Sequence, residues 1–207
     1  MIIIWLLAFA ITITVHEAAH AFMADKLGDP TARLAGRLSL NPIVHYDPIG
    51  TTLLFVLVVL RAFGFPVIPF GWAKPVPINP YNLEDPKRDS ALISLAGPFA
   101  NIALATILAL ILRLLPNQIF YPIILLNVAL AVFNLIPIHP LDGGKILVGL
   151  LPIKQARQVD LFLNRYGFLL LFIIIFPTFG GVSVISSAVL PIINLVLKLL
   201  LPSTGYI

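Results

Sequence analysis

The chain has no cysteine, and only 11% of its 207 residues are charged. The first absence excludes disulfides, thiol catalysis, iron–sulfur clusters and cysteine-ligated zinc. The second excludes a soluble monomer, since globular proteins carry about 25% charged residues. What remains is 59% hydrophobic, with a mean hydropathy of +1.03. Such a chain belongs in a bilayer and reads as an all-α polytopic membrane protein, a single domain over residues 1–207. A cytosolic enzyme, a secreted domain and a nucleic-acid binder are excluded. The net charge of +4 then reads as loop lysines and arginines facing the cytoplasm. Histidine and glutamate are also scarce, with His at 16, 20, 45 and 139 and Glu at 17 and 84. Any metal must be held by these residues or by aspartate.

A span needs about 20 mostly apolar residues. Ile2–Ala24, Ala91–Leu115 and Tyr121–Ile138 qualify, as does Val182–Leu201 with a kink expected at Pro191. Ile2–Ala24 has neither the basic start nor the cleavage site of a signal peptide and reads as a retained helix. Val159–Phe176 is apolar only after Arg165, so it begins at the interface; residues 159–201 form C-terminal helices beyond a core at 1–151.

Ile49–Phe65 is near the lower limit for a span. Prolines then recur through Pro66–Pro77 and forbid a helix. If the run crosses once, the lysines and arginines divide nine (61, 74, 87, 88, 145, 154, 157, 165, 198) against four (26, 33, 37, 113). If the chain returns, ten (26, 33, 37, 87, 88, 145, 154, 157, 165, 198) oppose Arg113 alone, with Arg61 and Lys74 inside the hairpin. The greater asymmetry favours a return. Five to six membrane segments are expected, including a re-entrant hairpin at 49–80. Extended backbone at membrane depth must be covered by protein or water, so the hairpin should line a cavity.

His16-Glu17-Ala18-Ala19-His20 is an H-E-x-x-H sequence. On a helix, positions i and i+4 share a face about 6 Å apart along the axis. Two imidazoles then reach one Zn2+, and Glu17 stands beside it to act on a water. His16 lies about 21 Å down the helix from Ile2, at a depth where ionisable residues mark function. A catalytic zinc site needs a third ligand and an open position. The longer soluble pattern fails, because Met23 and Lys26 occupy its Gly and last His positions. Glu84 sits in a charged loop. Asp142 is the best candidate: Pro137 and Pro140 end the preceding helix, and Gly143 and Gly144 allow a turn that aims the carboxylate inward. His16, His20 and Asp142 share one zinc only if their two helices run in the same direction. That again requires residues 49–80 to return to their starting side.

These residues resemble the site-2 protease family of intramembrane zinc metalloproteases. The likeness rests on HEAAH, on SLAGPFAN (Ser94–Asn101), on FNLIPIHPLDGGKIL (Phe133–Leu147), and on LNPIVHYDPIG (Leu40–Gly50). The last resembles the small prokaryotic branch without PDZ or CBS domains. The resemblance covers about Ile2–Leu151. It implies zinc, one per chain, on His16, His20 and Asp142, with Glu17 as the catalytic acid/base. It also implies a site opening to the cytoplasmic side of a prokaryotic plasma membrane. His139 departs from it, where relatives commonly carry proline.

The expected function is a zinc-dependent endopeptidase cutting in or near transmembrane segments of other membrane proteins or peptides. A metal-ion transporter should show several ligand clusters along a path, and this chain has one. A non-catalytic zinc scaffold should lack Glu17. Three further polar residues have two readings each. His139 either serves the site, as a donor to Asp142 or in the substrate path, or ends a helix as a bystander. His45 either serves the site or sits in an interfacial loop. Asn134 makes a helix–helix hydrogen bond or donates to the reaction's oxyanion. Gly97 and Pro98 read as close helix packing.

Overall fold

The computed structural model describes residues 2–65, 71–176 and 183–201, and every regular element among them is helical. Helix α1 (Ile2–Lys26) is apolar over most of its length and carries Lys26 in its last turn, where a cation meets the negative end of the helix dipole. It closes on Gly28, whose φ is +99°. The Gly28 N–H bonds Asp25 O, and the Asp29 N–H reaches back to Ala24 O, the paired bonds of a helix ended through a left-handed residue. A short helix, α2 (Thr31–Leu34), follows, and a 3-10 turn at Pro42–His45 then packs against α1. Asp47 Oδ1 accepts from the Ile49 and Gly50 N–H groups and starts α3 (Gly50–Ala62).

Residues 71–79 return as extended chain without helix or ladder, their prolines withholding N–H groups. Glycine on both sides permits the passage, since a Cβ on Gly71 would stand 2.4 Å from Gly50 O. Asp29 fixes the end of this segment. Its carboxylate accepts the Asn79 N–H at 2.7 Å and the Asn82 side chain at 2.8 Å. Residues 79–82 therefore stand beside the end of α1 from which the excursion began. Pro66–Phe70, part of the expected hairpin, lie outside the described residues.

Helix α4 (Pro86–Leu114) is capped by Asp85, with proline in its first turn. It is the central element, and α1, α5 (Phe120–Asn134) and α6 (Asp142–Leu150) all pack on it. Ala105 and Ala109 of α4 pack with Ile124 and Val128 of α5, small residues that let backbones approach. His16 and His20 of α1 meet residues 101 and 93 of α4, so these helices are antiparallel. The short link to α5 makes α4 and α5 antiparallel as well. Hence α1 and α5 run the same way.

Helix α7 (Ile153–Ile175) is followed, after residues outside the description, by a π turn (Ile185–Val189) and α8 (Leu190–Leu200). The irregularity expected at Pro191 is this π turn, placed just before the proline. Arg113 Nη2 donates to Leu200 O at 3.1 Å, and Leu112 shares a core cluster with Leu197. Lys198 therefore stands at the Arg113 end of the bundle, not with the other group to which the charge count assigned it. The pattern of loop charges cannot place one lysine at a helix end. The division becomes nine (26, 33, 37, 87, 88, 145, 154, 157, 165) against two (113, 198), and the asymmetry survives.

Among the described residues, three helices, α1, α4 and α7, are long and apolar enough to cross a membrane, while α3, α5 and the stretch Ile185–Leu200 are shorter apolar helices. Large apolar side chains stand exposed along the flanks, including Ile3 and Leu7 on α1, Phe99 on α4, and Phe168 and Phe172 on α7. In water such surfaces aggregate. In hydrocarbon they are the solvated face, and the molecule is a helical membrane protein.

Candidate metal centre

His16 and His20 lie one turn apart on α1, and their Nε2 atoms are 3.1 Å from each other. Asp142, the first residue of α6, brings Oδ2 to 3.1 Å from His16 Nε2 and 3.3 Å from His20 Nε2. Both histidines are buried, and Asp142 is nearly so. The three residues expected to share a metal are thus brought together.

Their outer nitrogens decide what the inner ones can be. His16 Nδ1 donates to Asn101 Oδ1 at 2.6 Å, and His20 Nδ1 donates to Ile93 O at 2.7 Å. In its neutral form each imidazole then presents its Nε2 lone pair inward, in the way that partners of metal-bound histidines fix the tautomer. Two Nε2 atoms and a carboxylate oxygen converge within 3.3 Å of one another, a spacing that a cation among them makes favourable. Two donors each about 2.0–2.1 Å from a tetrahedral zinc are about 3.3 Å apart, close to the separations seen here. The donor set fits zinc.

Asn101 continues into a buried network. Its Nδ2 donates to Thr12 O at 3.0 Å and to Asn127 Oδ1 at 2.6 Å, and Asn127 Nδ2 donates to Thr12 Oγ1 at 2.8 Å. Buried amides in an apolar bundle need such partners, and here they tie α1, α4 and α5 together one layer from the ligands. Sequence reasoning took Asn101 only as the end of a motif. The available signal was its polarity within an apolar span, the same signal that singled out Asn134.

Three glycine positions are explained by space. A Cβ on Gly97 would stand 2.5 Å from His20 Nε2 and 2.7 Å from His16 Cε1. The close packing expected there is thus against the imidazoles. A Cβ on Gly143 would stand 2.3 Å from Ile136 O, and one on Gly144 2.5 Å from His139 Nδ1. Neither glycine has positive φ. They allow α6 to start against the preceding segment and do not form a special turn.

Glu17 lines a cavity of about 420 Å3 with the three ligands, Asn134, Lys145, and Ala73 and Val76 of the extended segment. Part of the expected hairpin therefore does line a cavity. Asn134 ends α5 and donates Nδ2 to Leu130 O at 3.1 Å, within its own helix. His139 Nε2 donates to Asp160 Oδ1 on α7 at 3.1 Å rather than to Asp142. His45 is buried and donates Nε2 to Ser39 O at 2.9 Å. It lines a separate apolar cavity beside α1.

Residues 114–174 match the profile of Peptidase family M50. A Bacillus subtilis (strain 168) protein named "Putative zinc metalloprotease YwhC" is 38% identical over 182 residues, covering 81% of this chain and 77% of its own length. A second protein, named Rip2 in the same terms, from Mycolicibacterium smegmatis (strain ATCC 700084 / mc(2)155), is 32% identical over 83% of this chain and 64% of its own length. Stage IV sporulation protein FB of Bacillus subtilis (strain 168) is 29% identical over 71% of this chain and 52% of its own length. No solved structure matches the chain.

Proposed function

The chain belongs to peptidase family M50, and we propose that it is a zinc-dependent endopeptidase that cuts other membrane proteins within or beside their transmembrane segments. One observation carries the reading: three inward lone-pair donors lie within 3.3 Å of one another, and Glu17 opens onto the same cavity. His16, His20 and Asp142 would hold the zinc, which when bound would supply a Lewis acid and lower the pKa of a water toward 7. Glu17 accepts the proton of the attacking water and returns it to the leaving amide nitrogen. His16 and His20 hold their orientation through Asn101 and Ile93 O.

A substrate helix hides its carbonyls in internal hydrogen bonds, so it must unwind before attack. The extended segment supports this step. Among the described residues, the N–H groups of Ala73, Val76 and Ile78 have no hydrogen-bond partner, and all three residues border the cavity. An unwound substrate can pair with that backbone by strand addition.

The proposed membrane placement has α1 and α5 descending to the cytoplasm, α4 rising from it, and residues 49–80 entering and leaving on the cytoplasmic side of a prokaryotic plasma membrane. The bonds of Asp29 to Asn79 and Asn82 support the return. The test is purified protein in detergent, incubated with a panel of single-span membrane proteins. Wild type should release fragments and Glu17→Gln should not; equal cleavage by both would refute the reading.

A further inference from the structure

A cavity of about 830 Å3 lies beside the metal centre rather than on it, in a cleft between α7 and the paired α4 and α6. Its wall changes character along its length. One part carries Lys87, Lys145 and Arg157, and the other carries Leu163 and Phe168. Lys87 is already engaged, donating Nζ to Gly149 O and Leu151 O at the end of α6. Lys145 and Arg157 have no ion pair or hydrogen bond among the described residues, and both are exposed. The one carboxylate in the wall, Asp160, is paired with His139. The cleft is therefore cationic, with two uncommitted side chains lining it, one from α6 and one from α7.

The order of these side chains along the bundle narrows the ligand. Lys87 lies in the first turn of α4, at the end where the basic loops gather. Phe168 begins the apolar half of α7 and is 77% exposed. An anionic group held by Lys145 and Arg157 would thus have, directly beyond it, an apolar wall leading toward the membrane interior. A free anion has no use for that wall, and a polar peptide would leave it wet. Basic pockets between helices on the cytoplasmic side suit lipid head groups, with about 1 kcal/mol for each lysine or arginine near the surface.

We propose that this cleft binds one anionic phospholipid, its phosphate between Lys145 and Arg157 and its acyl chains along Leu163 and Phe168. Lys145 and Pro140 border both this cleft and the catalytic cavity, and Asp142 lies between them in the chain. A lipid that joins Lys145 to Arg157 therefore braces α7 against the segment carrying the third metal ligand. The inference relies on the membrane placement above for the side on which the head group sits and for the direction of the acyl chains. Binding is read without any protease assay, so its failure is distinct from failure of the enzymatic reading.

The test is native mass spectrometry of purified full-length protein in detergent, titrated with phosphatidylglycerol or with phosphatidylcholine of the same chains. Wild type should retain one phosphatidylglycerol and no phosphatidylcholine. Arg157→Gln and Lys145→Gln should each lose about fivefold in affinity, that is about 1 kcal/mol, and the double variant about 25-fold. Lys26→Gln, which removes a cation at the same end but outside the cleft, should bind as wild type. Equal retention of the two lipids, or wild-type affinity in the double variant, would overturn the proposal. So would displacement of the lipid by millimolar inorganic phosphate, which would mark a free-anion site. Displacement by a short glutamate-rich peptide would reassign the cleft to a polar flank of the substrate.

Discussion

At the scale of single residues, the centre depends on atoms that never touch the reacting bond. Asp142→Ala should abolish stoichiometric zinc by elemental analysis, because it removes one of three donors that lie within 3.3 Å of one another. Full zinc in that variant would remove Asp142 from the ligand set. Asn101→Ala should keep zinc but weaken it by about 10–100-fold, the usual effect of losing the partner of a metal-bound histidine. A competing chelator titration measures this, and unchanged affinity would mean that α1 alone orients His16. Gly97→Ala is the steric counterpart. Its methyl would enter the space of both imidazoles, so zinc affinity should fall although no polar atom is lost.

At the scale of elements, Asp29 links the end of α1 to the end of the extended return. Burial disfavours its charged form, but hydrogen bonds from Thr31, Asn82 and the Asn79 and Thr31 backbones outweigh that and hold its pKa below 3.8. A carboxylate with a depressed folded-state pKa contributes stability that is present above the unfolded value and lost as pH falls through the folded one. The contribution should therefore be complete at pH 5 to 7 and decline progressively as pH falls below about 3.8. Asp29→Asn keeps a side chain of the same size and loses the charge. It should cost about 1–3 kcal/mol at neutral pH in detergent unfolding, with the difference from wild type shrinking in acid. A difference independent of pH would show that packing, not charge, holds the link.

At the scale of the whole molecule, the return of residues 49–80 decides whether the ligands can meet at all. The chain has no cysteine, so single cysteines can be introduced without background. In intact cells an impermeant thiol reagent should label Cys at Asn117 but not at Asn82 or Gln155. Labelling at Asn82 from outside would mean that residues 49–65 cross fully, which the bonds of Asp29 to Asn79 and Asn82 oppose.

The sequence by itself determined the membrane class, the pairing of His16 with His20 and Glu17, and Asp142 as the third candidate ligand. Each rests on short-range facts: composition, the i, i+4 geometry of a helix, and a carboxylate just beyond a span. The return of the chain was legible because charge asymmetry accumulates over many residues. Only the tertiary structure decided which residues support His16 and His20, two of the proposed metal ligands. Asn101 and Ile93 are distant in the chain from the histidines they orient, and no local pattern records which polar group in one helix faces which in another. The same reason hid the pairing of His139 with Asp160, on a helix that begins well after it. It also hid the true role of Gly97, since a glycine needed for room is indistinguishable in sequence from one needed for helix packing. Lys198 was misplaced because α8 takes its direction from packing against α4, an interaction of apolar faces that carries no charge signal.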